Sequence, residues 1–191
     1  MARVEVPGPE SEQYRDLDAL FQRAKATDEC EYICSLLRIR GEEAAGWDPL
    51  WESHAAIQDF VGLINGPLRD VTRLRLGLLT YCHITEIDAV YELTANLLRV
   101  IGGERYSIVP FLDYTTRTRK RTEYPSERIA ALKDMEVDRD VNTVGPMLDT
   151  FFDNNVRNAF YHSNYTIHES EFRYRRKGIG VVVPLEALPL S

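Results

Sequence analysis

The stretch from Asn142 to Asn164 constrains the fold of this chain more than any other. Its apolar side chains recur at the spacing of an α-helix, so one face of the stretch is expected to be buried in a core. These residues are Val144, Leu148, Phe151, Phe152, Val156, Ala159 and Phe160. The spacing therefore predicts an amphipathic helix late in the chain, with a polar face on its other side.

That polar face carries groups that can do chemistry. At about 100° per residue, Asn158 and His162 fall within about 40° of each other, and Arg157 lies about 140° from His162. Asn154 and Tyr161 lie on the same side of the helix. A cation, an amide, a phenol and an imidazole share one face, which is predicted to meet a ligand or a partner.

Arg157 is followed directly by the polar residue Asn158 and, after three more residues, by His162. This arrangement resembles the signature of the HEPN superfamily, which consists of small all-α proteins, many of them metal-independent ribonucleases. The motif stands near the end of a late helix, where the family carries it. The stretch from Tyr81 to Arg99 is also similar to the long helix of some bacterial HEPN-like proteins. The alternative is a solvated helix face with one capping histidine.

The fold class indicated is mainly α, a HEPN-like helical bundle with a short C-terminal β-hairpin. Residues 1–10 contain two prolines and a glycine and are predicted to form a disordered arm. Residues 11–191 are predicted to form one domain, since this length suits a single core. Helices are expected to about residue 164. Beyond it, apolar and polar residues alternate, which predicts a hairpin or short meander over 165–186.

Two upstream segments carry further expectations. From Pro67 to Ile101 the helical pattern hardly breaks, which predicts the longest helix, or two helices joined near Gly77. Residues 104–125 are expected to form a long connection. Trp47 and Trp51 flank a turn and are expected to close one end of the bundle.

Composition narrows the function classes. The net charge of −7 argues against a protein that coats nucleic acid generally, although a local basic patch would still allow RNA binding. Cys30, Cys34 and Cys82 show no zinc-like spacing and are expected to be reduced. No apolar run approaches membrane-spanning length, and the first residues lack the apolar core of a signal peptide. We therefore expect a cytoplasmic protein with no cofactor, no metal and no membrane association.

The residue types of the motif suit RNA cleavage without a metal. His162 is the candidate general base or acid, because imidazole titrates near neutral pH. Arg157 offers a cationic fork for a phosphate and for the charge of the transition state. Asn158 could orient His162 or hold a phosphate oxygen. The alternative is that Arg157 pairs with Asp153 while Asn158 and His162 satisfy backbone groups.

Several residues outside the motif are candidate accessories. His83 and Glu86 share a face of the predicted long helix and could add a polar wall to the site, with Asn96 further along. Tyr161 and Asn154 are the accessory candidates on the motif helix. RNA-binding candidates stand in the connection and are Arg117, Arg119, Lys120 and Arg121. A basic run is otherwise a solvated surface, and the second such run, 173–177, is open to the same two interpretations.

The resemblance implies an endoribonuclease that acts in defence, toxin–antitoxin or stress settings, with RNA, a second copy of the chain, and an antitoxin or other protein as partners. Members of one toxin subgroup carry a tyrosine two residues after the histidine, which a nucleotidyltransferase modifies. Here Asn164 takes that place and the tyrosine is Tyr165, so that partner is not expected. The alternatives are a non-catalytic HEPN-like module that binds RNA or a nucleotide or mediates dimerisation, and a purely structural bundle.

Overall fold

The computed structural model describes residues 12–37 and 49–189. The described chain is mainly helical and ends in a small antiparallel sheet of three strands, as the sequence predicts. The helices are α1 (Glu12–Thr27), α2 (Glu29–Leu37), α3 (Pro49–Ile64), α4 (Asp70–Thr85), α5 (Asp88–Ile101), α6 (Pro110–Thr118), α7 (Pro125–Val137), α8 (Val144–Phe151) and α9 (Asn154–Tyr161). The strands are β1 (Tyr165–His168), β2 (Glu171–Arg176) and β3 (Ile179–Pro184), and a 3₁₀ turn, Leu185–Ala187, follows them. The predicted N-terminal arm and Trp47 lie outside the described residues.

The chain divides into two compact units. The first contains α3, α4, α9 and the sheet, from the segments Pro49–Ile87 and 151–189. The second contains α1, α2 and α5–α8, with α5 packed against α1, α2, α6 and α7. The single domain expected for residues 11–191 stays a prediction.

None of the helices within 12–37 and 49–189 has the length and apolar character that crossing a membrane requires.

The core of the first unit lies where α4, α9 and β2 meet. Leu78, Cys82 and Phe172 have no exposed surface there, and Val156 of α9 is also fully buried. Aromatic rings extend this core along the sheet, with Tyr165 stacked on Phe172 at 5.1 Å between ring centroids. The alternating apolar residues thus bury one face of the sheet, which explains why the change of period predicts it.

The C-terminal strands form a meander of order β1-β2-β3, the second of the two arrangements that the sequence allows. Phe172 pairs with Val183, and Tyr165 pairs with Tyr174. Lys177 and Gly178 have φ values of 50° and 83°, the conformation that a two-residue hairpin turn requires.

The predicted helix from Asn142 to Asn164 is interrupted. It consists of α8 and α9, because Asp153 adopts an extended conformation and caps α9. Its Oδ1 accepts hydrogen bonds from the backbone N–H of Asn155 at 2.8 Å and of Val156 at 3.2 Å. An aspartate in this position satisfies donors that the first turn leaves unpaired, so a new helix starts there despite the continuous apolar pattern.

The predicted helix from Pro67 to Ile101 is also two helices, but the break lies at Glu86 and Ile87, not at Gly77. The hydroxyl of Thr85 donates to the backbone oxygen of Cys82 at 2.9 Å, and the backbone N–H of Glu86 donates to the backbone oxygen of His83 at 3.1 Å. These bonds span three residues instead of four, so the last turn of α4 tightens and the helix ends.

Two further expectations need correction. Residues 104–125 are not one long connection, since they contain α6, which starts at Pro110 in a position that suits proline. Trp51 does not close a bundle end, because it lies in the first turn of α3 and is 69% exposed.

In the second unit, the buried carboxylate of Glu136 holds the start of α8. It accepts hydrogen bonds from the backbone N–H of Thr143 at 3.0 Å, of Val144 at 2.6 Å and of Gly145 at 2.8 Å. A Cβ atom on Gly145 would lie 2.6 Å from Glu136 Oε2, so glycine permits this close approach. The negative charge also suits the N-terminus of a helix.

We expect Glu136→Ala to lower the free energy of unfolding by about 2–3 kcal/mol, because buried backbone donors would lose a charged acceptor. Urea denaturation would measure the change. Glu186→Ala, at an exposed position, is the matched control and should change the stability by less than about 0.5 kcal/mol. Equal losses in the two variants would contradict the capping role.

Candidate functional site

The helix α9 and the end of α4 position the motif residues within the first unit. The apolar side of α9 is held by Val156 and Ala159, which are buried against α4. Its first turn is fixed by Asp153, whose backbone N–H also donates to the hydroxyl of Tyr81 at 2.7 Å. These contacts set the rotation of α9 and therefore where its polar residues lie.

Arg157 is oriented by three neighbours. Its Nη2 forms an ion pair with Glu86 Oε1, and its Nη1 donates to Asn158 Oδ1 at 2.8 Å. The guanidinium carbon lies 5.3 Å from the centroid of the Tyr161 ring, a distance suited to a cation–π contact. With its side chain only 17% exposed, Arg157 is held in one place beside the end of α4.

Asp153 is not the partner of Arg157, contrary to the alternative that the sequence leaves open. Its carboxylate is committed to the cap of α9, and the carboxylate on Arg157 belongs to Glu86. Glu86, predicted as an accessory residue, is thus in direct contact with the motif.

His162 is exposed and directly follows α9. Its backbone N–H donates to the backbone oxygen of Asn158 at 3.0 Å, so it ends the helix while its side chain remains at the surface. The amide oxygen of Asn158 contacts Arg157 rather than the imidazole. Asn158 therefore positions the cation, which is a different role from the orientation of His162 that the sequence suggests.

The other accessory candidates occupy different places. His83 packs edge-on against Phe60 of α3, with ring centroids 6.0 Å apart, and so contributes to the α3–α4 contact. Its Nε2 is buried and has no hydrogen-bond partner among the described residues. Asn154 is exposed in the first turn of α9, and Tyr161 ends that helix, 45% exposed. Asn96 lies in the second unit, where its side chain binds the backbone of Ser107.

Sequence reasoning gave no site role to Cys82, which lies beneath Arg157. Burial raises the pKa of the Cys82 thiol to about 12, although the positive charge of Arg157 opposes the shift. Burial, with Cys82 and Glu86 nearby, also raises the pKa of Tyr161. Both groups therefore stay protonated at neutral pH, and Cys82 is a packing residue rather than a nucleophile.

Three of the four predicted RNA-binding residues form ion pairs with carboxylates. Arg117 lies 3.7 Å from Glu104, Lys120 lies 2.5 Å from Asp134, and Arg121 lies 3.4 Å from Glu123. Lys120 and the Tyr114 hydroxyl both donate to Asp134 and lower its pKa. Arg119 is exposed, with a left-handed backbone that ends α6. These cations stand in the second unit, and much of their charge is balanced locally.

No group of three or more histidine, cysteine, aspartate or glutamate side chains in the described part of the chain is arranged to bind a metal ion. No family model matches the chain, and neither a curated protein nor a solved structure matches it.

We expect Cys82 to resist alkylation in the folded protein, because only a thiolate reacts and this thiol is buried with a raised pKa. Iodoacetamide at about pH 8 should modify the exposed Cys30 first. Peptide mass spectrometry would identify the alkylated cysteines. Cys82 should react only after denaturation in urea. Equal alkylation of Cys30 and Cys82 in the native protein would contradict the burial of this part of α4.

Proposed function

We propose that the protein is a metal-independent endoribonuclease of the HEPN type. The observation that carries the proposal is the arrangement at α9, where an oriented Arg157 lies within the helix and an exposed His162 directly follows it. A fixed guanidinium and a solvent-accessible imidazole five residues further along the chain offer phosphate recognition and proton transfer within one motif. The mainly helical fold is compatible with the resemblance of the motif.

The proposed reaction uses the 2′-hydroxyl of RNA as its nucleophile. A neutral imidazole of His162 takes the proton of this hydroxyl, and the 2′-oxygen forms a bond to phosphorus. The bond from phosphorus to the 5′-oxygen breaks, and that oxygen receives a proton from a general acid. Arg157 stabilises the negative charge of the phosphorane, and Asn158 holds the guanidinium through Nη1. The products are a 2′,3′-cyclic phosphate and a 5′-hydroxyl.

A second copy of the chain would complete this chemistry. One α9 presents one imidazole, whereas the reaction needs a base and an acid on opposite sides of the phosphate. A two-fold axis beside α9 would bring a second Arg157 and His162 opposite the first. Repulsion between the two arginines is reduced because each is paired with its own Glu86.

The resemblance also suggests a setting. Cytoplasmic ribonucleases of this type act in defence, toxin–antitoxin or stress responses, and an antitoxin or other protein partner would restrain them. We propose the same setting for this chain.

One observation favours a different function. Glu86 already pairs with Arg157, and three of the four cations at 117–121 are paired with carboxylates. A binding or structural module could function with these pairs in place, because it does not need a free cation to stabilise a transition state. The second candidate is therefore a non-catalytic HEPN-like module that binds RNA or a nucleotide or mediates dimerisation. Binding without cleavage would identify this function, and neither binding nor cleavage would leave a structural bundle.

Incubation with RNA in the presence of EDTA tests catalysis. We expect cleavage that leaves a cyclic phosphate, detectable by mass spectrometry, and no cleavage of DNA, which lacks the 2′-hydroxyl. His162→Ala should reduce the rate by about two to four orders of magnitude, the usual contribution of a general acid or base. His168→Ala removes another exposed histidine of the same unit and should have little effect. Activity abolished by EDTA, or equal losses in the two variants, would refute this mechanism.

The cations near the end of α6 should govern affinity rather than turnover. A variant with alanine at Arg117, Arg119, Lys120 and Arg121 should bind RNA more weakly, and its affinity should depend less on salt, because fewer counterions are released. Fluorescence anisotropy over a range of KCl concentrations would measure both. The matched control removes four other exposed cations, at Arg15, Lys25, Arg69 and Arg75. Equal salt slopes for the wild type and the first variant would leave this segment a solvated surface.

The dimer is tested by sedimentation at micromolar concentration, where we expect twice the monomer mass. If the axis lies beside α9, Tyr161→Cys should form an intermolecular disulfide in a Cys30→Ser background. Ser170→Cys, in the exposed turn between β1 and β2, is the control and should not form an intermolecular disulfide. A stable monomer, or cross-linking at Ser170→Cys alone, would show that the site is not shared.

A further inference from the structure

The guanidinium of Arg157 is held in place but not saturated. Its Nη2 contacts Glu86 Oε1 and its Nη1 donates to Asn158. Its Nε is buried, and no acceptor among the described residues receives a hydrogen bond from it. Nε and Nη2 form one edge of the guanidinium, and an arginine can bind an oxyanion through both of these nitrogens. The carboxylate of Glu86 engages only Nη2.

A phosphate group would use this edge better than the carboxylate does. Two of its tetrahedrally arranged oxygens can accept from Nε–H and Nη2–H together, the geometry for which the guanidinium fork is suited. Binding would also provide a partner for the buried Nε–H, whose lack of an acceptor costs free energy in the present arrangement.

Glu86 is able to leave. It follows the last residue of α4, with φ of −96° and ψ of −1°, and its side chain as a whole is 35% exposed, although the Oε1 atom that contacts Arg157 is buried. Rotation of this side chain into water would move the carboxylate away from Arg157 without breaking a helix. Asn158 and Tyr161 would still hold the guanidinium in position.

We propose that the Nε–Nη2 edge of Arg157 is an oxyanion site for a phosphate group, and that Glu86 is the internal anion which the phosphate displaces. The choice of phosphate rests on the proposed function. Glu86 is a positioning residue here, because it contacts Arg157 and not the reacting atoms. It keeps the site electrically neutral in the absence of substrate, so that a weakly bound anion competes poorly.

Titration with inorganic phosphate, followed through the ¹H–¹⁵N signal of Arg157 Nε–H, tests this inference without RNA. In Glu86→Gln the competing charge is gone, so phosphate should bind about three- to tenfold more tightly than in the wild type. Glu104→Gln is the matched control, because it removes a carboxylate from Arg99 and Arg139 in the second unit. Its phosphate affinity at Arg157 should equal that of the wild type.

A second measurement avoids dependence on the folding of the variant. In the wild type, saturation with phosphate should shift the side-chain carboxyl ¹³C signal of Glu86 as the carboxylate leaves Arg157. An unchanged Glu86 signal, or phosphate affinity in Glu86→Gln that is equal to or weaker than the wild type, would overturn the inference. RNA cleavage with no displacement of Glu86 would refute this inference alone. Displacement without cleavage would refute the proposed catalysis and leave the oxyanion site.

Discussion

The packing of α4 against α9 is the interaction on which the candidate site depends. Cys82 and Val156 are fully buried in this contact, and Phe172 of the sheet covers it with no exposed surface of its own. The hydroxyl of Tyr81 accepts the backbone N–H of Asp153 and so ties α4 to the residue that starts α9. With the start and rotation of α9 fixed in this way, Arg157 meets the carboxylate at the end of α4.

The sequence predicts those features that arise from local periodicity. The spacing of apolar residues identifies the helical regions, and the change to alternation after Asn164 identifies the sheet, because both patterns follow from which side chains are buried. The interruption at Asp153 is harder to predict, since Phe151 and Phe152 continue the apolar spacing across it. A capping aspartate overrides that pattern by satisfying two backbone donors.

The motif residues could be named from the sequence, but their partners could not. Arg157 could reach Asp153 from the same helix, and only the tertiary fold shows that Asp153 is committed elsewhere and that Glu86 takes the arginine. The same holds for the cations at 117–121, which form a basic run interrupted only by Thr118, although carboxylates elsewhere in the fold pair with three of them. A basic run therefore overstates the charge that the surface offers to a polyanion.

Within the residues that the structure describes, the first unit is built from two segments of chain, which the segment Asp88–Thr150 separates. During synthesis, α4 emerges from the ribosome well before α9 and the strands that cover it. Until those later segments arrive, α4 can pack against α3 but Cys82 lacks the cover of α9 and the sheet, and closing the intervening loop costs chain entropy. Arg157 meets Glu86 only when this late contact forms, so the site is among the last features to assemble. Any activity that needs this site would therefore be absent until synthesis of the chain is nearly complete.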